Sequence, residues 1–122
     1  MLRRRRTTAL VLDRLLHKQE AAQRVYYKCA PARLPMDRRA DYVRTMTLAA
    51  TDELHELLNE TDWKPWKKEP HSFSRRAYIA ELADVMLFVL NLALVEDIDG
   101  AELSEALDTA WLKNAKRRTT GY

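Results

Sequence analysis

Two acidic pairs in this 122-residue chain have the residue types and the spacing for metal-assisted chemistry. Glu53 and Glu56 form the first pair, Glu81 and Asp84 form the second, and each pair lies in an otherwise apolar segment. Residues three apart lie on the same face of a helix, so each pair directs two carboxylates the same way. Four converging carboxylates repel one another and lose hydration, and a hard divalent cation relieves both costs. The pattern therefore predicts a Mg2+ site holding two or more ions, with Mn2+ as a substitute.

The alternative is that these acids are solvated positions on two amphipathic helices, where most Glu and Asp lie. Two pairs in succession, separated by Trp63-Lys64-Pro65-Trp66-Lys67, favour the metal site. Asn91 follows Asp84 by two turns on the same helix face, so it is a candidate to bond a sugar or a phosphate. The open alternative is that Asn91 is a polar residue whose hydrogen bonds are satisfied within the helix bundle or at an interface.

The elements that position these residues are predicted to be helices. Only two glycines occur in the chain, which argues against hairpins and barrels, so we expect an all-α bundle of four or five helices. Periodicity and prolines place helices at about residues 8–28, 37–60, 76–95 and 101–118, with Asp37 as the N-cap of the second. The length fits one domain over residues 1–122, and residues 1–7 are predicted to form a disordered basic tail.

Composition narrows the class of protein further. No run of eighteen uncharged apolar residues occurs, so no membrane span is predicted. The single cysteine, Cys29, excludes an internal disulfide and fits the cytoplasm of a cell or of an infected host. Four helices of this length bury only part of their surface alone, so a homodimer or homotetramer is expected. Trp111 has the spacing of a core residue.

Basic and aromatic residues near the acidic pairs point to a phosphate-containing substrate. Lys64 and Lys67 can neutralise phosphate oxygens. Trp63 and Trp66 can enclose a base, or they can anchor the connector to the core, and the sequence leaves both open. Acids, cations and aromatic rings together suit a deoxynucleoside triphosphate, whose hydrolysis with magnesium needs no covalent nucleophile.

These motifs, in this order, resemble the all-α nucleoside triphosphate pyrophosphatases, which include MazG proteins and the dimeric dUTPases. The family pattern E-x-x-E, spacer, E-x-x-D is matched by the two acidic pairs. The spacer of 24 residues (81 − 56 − 1) is similar to the longer gap of the dimeric dUTPases. The segment from Trp63 to Lys67 resembles their W-K-x-W-K motif.

Two further segments carry the resemblance with departures. Gln19 and Gln23 stand where the family has L-Q-x-x-L-N, whose polar residues contact the uracil and sugar region. Residues 113–122 are similar to the closing segment K-N-x-x-[N]-x-x-R-Q-x-x-G-Y, although a single asparagine occurs and Arg118 replaces the glutamine. The chain is shorter than cellular dimeric dUTPases and is similar to a phage-sized version.

The resemblance implies a Mg2+-dependent diphosphatase that converts dUTP to dUMP and pyrophosphate, with dUDP and dCTP as further candidate substrates. It implies that Glu53 and Glu56 also orient the attacking water. The closing segment would cover the triphosphate through Lys113, Asn114, Arg117 and Tyr122.

Two other functions remain as alternatives. A MazG-like pyrophosphohydrolase of other or non-standard nucleotides would use the same metal chemistry. A small basic helical protein that binds nucleic acid belongs to a different class. This last function leaves the acidic pairs unexplained, because inward-facing carboxylates repel phosphate without a cation, so no stable nucleic-acid binding is expected.

Overall fold

The computed structural model describes residues 2–121, whose backbone forms four α-helices and one short 3-10 turn. The helices are α1 (Leu2–Tyr27), α2 (Met36–Asn59), α3 (Arg75–Val95) and α4 (Gly100–Thr120), and the turn is Pro31–Arg33. No strand occurs within these residues. The predicted all-α class is confirmed.

The basic N-terminal segment is helical, which corrects the predicted tail at residues 1–7. α1 begins at Leu2, and Arg5 forms an ion pair with Asp108 of α4 at 3.1 Å. Arginine is a good helix former, and packing of α1 along α4 supports the first turns. A run of like charges is therefore not enough to predict disorder. The acidic partner of Arg5 lies about a hundred residues away in sequence, where inspection of the run does not reveal it. Met1 lies outside the described residues.

α1 and α4 are antiparallel neighbours held close by a glycine. The backbone N–H of Gly100 donates to the Asp13 carboxylate at 2.6 Å. About two turns further along both helices, Arg5 forms its ion pair with Asp108. A Cβ at position 100 would collide with the carbonyl oxygen of Ala9 and with the Asp13 side chain. Position 100 therefore requires glycine for close helix approach.

α2 and α3 pack against each other and form the other half of the molecule. Ser74 caps α3, since its Oγ accepts from the N–H of Ala77 at 3.2 Å. The N-cap position of α2 is Pro35, so the predicted N-cap Asp37 is wrong. Asp37 lies in the first turn instead, where its negative charge interacts favourably with the helix dipole.

The core consists of two apolar clusters where the helix pairs meet. Buried residues of the first cluster come from α1 and α3: Leu16, Leu90, Ala93 and Leu94. Those of the second come from the loop before α2, from α2 itself and from the end of α3: Leu34, Tyr42, Met46 and Val95. Trp111, expected in the core, is 62% exposed on α4, whose buried positions are Gly100 and Ser104.

α3 has two faces of different character. Its most apolar 18-residue window has a mean hydropathy of 1.9, which by length and composition would suffice to cross a membrane. Core helices of soluble proteins meet the same criterion, so this is weak evidence for a span. Four exposed apolar residues at heptad-like spacing form a line that we call the α3 stripe: Ile79, Leu82, Met86 and Val89.

Candidate metal and nucleotide site

Three of the four predicted metal ligands converge where α2 packs on α3. Glu53, Glu81 and Asp84 each offer a carboxylate oxygen, and these oxygens lie within 4.8 Å of one another. Carboxylate oxygens at such separations are suited to a hard divalent cation. Glu56 lies outside this group and its side chain is exposed, although it belongs to the same helix face as Glu53.

Electrostatic crowding is evident at Glu81. Partial desolvation, a hydrogen bond to Glu53, and the charges of Glu53, Asp84 and Glu56 raise the pKa of the Glu81 carboxyl above its ordinary value. Each contribution disfavours the ionised form. A bound cation would reverse the balance, because it stabilises all of the carboxylates at once. The donor set therefore fits a divalent metal.

A cavity of about 460 Å³ adjoins the acidic group through Asp84. Three amide side chains singled out in the sequence, Gln19, Gln23 and Asn91, lie in its wall. The fold thus brings the candidate base contacts of α1 to the candidate metal ligands of α3. The cavity is completed by mainly apolar neighbours: Ala22, Tyr26, Tyr27, Met46, Leu87 and Phe88.

Asn91 is fully buried and only half satisfied. Its Nδ2 donates to the Met46 sulfur, a weak acceptor, at 3.3 Å, whereas its Oδ1 has no hydrogen-bond partner within residues 2–121. A buried carbonyl oxygen without a donor is uncommon in folded proteins. Asn91 also lines the cavity beside Asp84, so its side chain lies next to the space that a bound molecule would occupy.

Gln23 of α1 is held in place by a buried tyrosine of α2. The Tyr42 hydroxyl donates to Gln23 Oε1 at 2.8 Å, and both side chains are buried. Helical periodicity carries no signal that the Tyr42 hydroxyl contacts a residue of α1, because that contact depends on how the two helices pack.

The connector between α2 and α3 forms a separate, smaller cavity of about 180 Å³ that includes Trp63, Lys64 and Lys67. Trp63 Nε1 donates to Asn59 Oδ1 at 3.2 Å, and the Lys64 ammonium lies 5.5 Å from the Trp63 ring centroid. Trp63 is thereby tied to the end of α2. Trp66 meets Trp63 edge-on at 5.9 Å and is 70% exposed.

The closing segment lies far from the acidic group within one copy of the chain. Lys113, Asn114 and Arg117 are exposed on α4 and lie beyond the contact of Asp108 with Arg5. At a rise of 1.5 Å per residue, Arg5 is already about 20 Å from Gln19 along α1. The predicted residue Tyr122 lies outside the described residues.

A helical domain with converging carboxylates beside an amide-lined cavity is the arrangement expected of an all-α nucleotide diphosphatase. In agreement, a family model described as dUTPase matches residues 12–122, almost the whole chain. The chain belongs to this dUTPase family and is a nucleotide diphosphatase hydrolase. No curated protein and no solved structure shows a significant match. The resemblance found in the sequence motifs is therefore confirmed at the level of the family.

Proposed function

We propose that this protein is a Mg2+-dependent dUTP diphosphatase that forms dUMP and pyrophosphate, with dUDP and dCTP as further substrates. The observation that carries the proposal is the shared cavity. Asp84 of the acidic group and the amides of Gln19, Gln23 and Asn91 line the same space. Such a space can hold a base against amides while its phosphates extend toward the carboxylates.

The acidic group is the proposed site for the metal. Glu53, Glu81 and Asp84 would hold Mg2+, with Glu56 at the edge of the site. When bound, Mg2+ neutralises phosphate oxygens and lowers the pKa of a coordinated water. The raised pKa of Glu81 supports this assignment, because its causes are desolvation first and then the neighbouring carboxylates, and a bound cation would offset both.

The remaining roles follow from what the side chains can donate or accept. Glu53 and Glu56 are proposed to orient the attacking water, whose oxygen forms a new bond to phosphorus as pyrophosphate leaves. Lys64 and Lys67 are proposed to meet phosphate oxygens from the connector. Because Trp63 is hydrogen-bonded to Asn59, its main proposed role is to hold the connector against α2. This contact would position the two lysines.

We also propose a homodimer that covers the α3 stripe. Residues at such heptad-like spacing pack well against a second copy of the same helix. The acidic residues Glu81 and Asp84 project from the other side of α3, so the interface leaves the site open. Light scattering should report a dimer for the wild type and for Val25→Glu, a control at an exposed apolar position outside the stripe, but a monomer for Met86→Glu. A wild-type monomer at micromolar concentration would contradict this.

A second copy would also supply the closing segment. Within one copy this segment is out of reach of the cavity, so Lys113, Asn114 and Arg117 are proposed to act on the site of the partner. Mixing two inactive variants, Glu81→Gln and Arg117→Ala, tests this. In a mixed dimer one site then has both functional groups, so about a quarter of wild-type activity should return. If no activity returned after subunit exchange, the closing segment would act on the site of its own subunit.

Rates on separate nucleotides test the proposed reaction. With Mg2+, dUTP should be hydrolysed at least about tenfold faster than dATP or dGTP, a difference of about 1.4 kcal/mol in activation free energy. Glu81→Gln should abolish turnover, while Glu69→Gln, an exposed acid in the connector, should not. Faster cleavage of a purine triphosphate would instead indicate a broader MazG-like pyrophosphohydrolase.

A further inference from the structure

The hydrogen bond between Tyr42 and Gln23 determines which end of the Gln23 amide can face the cavity. The Tyr42 hydroxyl donates to Oε1 at 2.8 Å, so Oε1 is occupied as an acceptor. Within the described part of the chain, Nε2 of Gln23 has no hydrogen-bond acceptor of its own. Gln23 lines the cavity, and because its Oε1 is occupied, the NH2 group is the end of the amide that remains for a ligand there.

Tyr42 is well suited to hold this bond. It is 3% exposed, and its ring packs edge-on against Tyr27 with centroids 5.1 Å apart. The pKa of the Tyr42 hydroxyl is raised, mainly by burial and to a smaller extent by the nearby Tyr27. The hydroxyl therefore remains protonated and able to donate. The donor is therefore fixed both in position and in protonation state.

Asn91 presents the complementary group. Its Nδ2 donates to the Met46 sulfur, and its Oδ1 is an acceptor without a partner among the described residues, on a side chain that lines the same cavity. One donor from Gln23 and one acceptor from Asn91 match a base edge that carries a carbonyl oxygen next to a ring N–H. Uracil has this edge, whereas cytosine has an unprotonated ring nitrogen and an amino group in the corresponding positions.

We propose that Tyr42 is a positioning residue that fixes the Gln23 amide with its NH2 toward the cavity, and that this orientation favours uracil over cytosine. The inference rests on the proposed function, because it assumes that the base occupies this cavity. It extends that function, since Tyr42 itself does not touch the nucleotide. If the hydroxyl is lost, the Gln23 amide can turn and present its oxygen instead, which accepts a hydrogen bond from cytosine.

Tyr42→Phe tests the proposal because it removes the hydroxyl and keeps the buried ring. The ratio of kcat/KM for dUTP to that for dCTP should fall about five- to tenfold, as expected for one oriented hydrogen bond. The change should lie mainly in the KM for dUTP. Thr47→Val is the matched control, because it removes another hydroxyl of α2, one that bonds the Val43 carbonyl at 2.7 Å, and it should leave the ratio unchanged.

A double-mutant cycle separates positioning from general loss of stability. In a Gln23→Ala background, Tyr42→Phe should no longer change the ratio, because there is no amide left to orient. A merely structural role would lower turnover of both substrates alike and would do so in either background. An unchanged ratio in Tyr42→Phe, or the same change with and without Gln23, would overturn the proposal.

Binding distinguishes failure of this inference from failure of the proposed reaction. Calorimetry with the non-hydrolysable α,β-imido analogues of dUTP and dCTP reports base preference without turnover. A wild-type preference for the dUTP analogue that Tyr42→Phe reduces would support the positioning role even if the wild type hydrolysed neither nucleotide. Equal binding of both analogues by the wild type would refute it. Gln23→Glu, which keeps the bond from Tyr42 but offers no donor, should also lose the preference.

Discussion

Replacing Asn91 by leucine should make the protein more stable and less active. Asn91 is fully buried, and its Oδ1 has no hydrogen-bond donor among the described residues. Leucine has a similar volume and no polar atoms, so the substitution removes an unsatisfied group without leaving a large void. If the oxygen is retained to bind a nucleotide, stability and activity must change in opposite directions.

The magnitude follows from the two ends of the Asn91 amide. An unpaired buried carbonyl costs about 1–3 kcal/mol. The bond from Nδ2 to the Met46 sulfur, at 3.3 Å, offsets a minor part of this, because a thioether is a weak acceptor. A net gain of about 1–2 kcal/mol in the free energy of unfolding is expected. In a domain of this size, that corresponds to a rise of about 4–8 °C in Tm.

Urea denaturation and calorimetry of the metal-free protein measure the stability, and dUTP hydrolysis with Mg2+ measures the activity. Asn59→Leu is the matched control, because the Asn59 carbonyl already accepts a hydrogen bond from Trp63 and its loss should not stabilise the fold. If Asn91→Leu lowered stability while turnover stayed near that of the wild type, Asn91 would be a structural residue and its oxygen would have no role in binding.

Three further predictions concern the acids, the base pocket and the helix contact. Neutralising Glu81 by glutamine should abolish turnover, leave the circular dichroism of the helices unchanged and raise the Tm of the metal-free protein. Because the folded-state pKa of Glu81 is raised, stability is fully present below the pKa of an unfolded glutamate and falls as pH rises through the folded pKa, so the gain in Tm should be larger at pH 8 than at pH 4. An equal gain at both pH values would contradict this. Gln19→Ala should narrow the preference for dUTP over dATP more than it lowers Mg2+ affinity in a titration, and a selective loss of Mg2+ affinity would exclude Gln19 from base recognition. Gly100→Ala should lower the free energy of unfolding by about 1–3 kcal/mol in urea, since its Cβ would meet Ala9 and Asp13, and an unchanged midpoint would show that the helices can separate at little cost.

Sequence periodicity predicts which residues share a helix face, and the structure agrees with it most closely at this level. The i, i+3 spacing correctly grouped Glu81 with Asp84, and the bounds of α3 were predicted to within one residue. Glu53 joins them because α2 packs on α3. Family motifs led to Gln19 and Gln23, which the fold places in the same cavity wall.

Contacts between helices could not be predicted in the same way. The bond from Tyr42 to Gln23 and the ion pair of Arg5 with Asp108 both depend on which helices become neighbours, and periodicity does not specify that. Trp111 shows the same limit: its spacing fits a core position, but α4 packs on α1 through another face. The closing segment was predicted as part of the site, although a single copy holds it far away.

The most direct test of the central claim is to follow the products of dUTP hydrolysis by 31P NMR in the presence of Mg2+. We expect the triphosphate signals to be replaced by those of dUMP and pyrophosphate, with no inorganic phosphate released at first and no reaction in excess EDTA. Formation of dUDP with inorganic phosphate, or equal turnover without a divalent metal, would contradict the proposal that the acidic group holds Mg2+ for cleavage to the monophosphate.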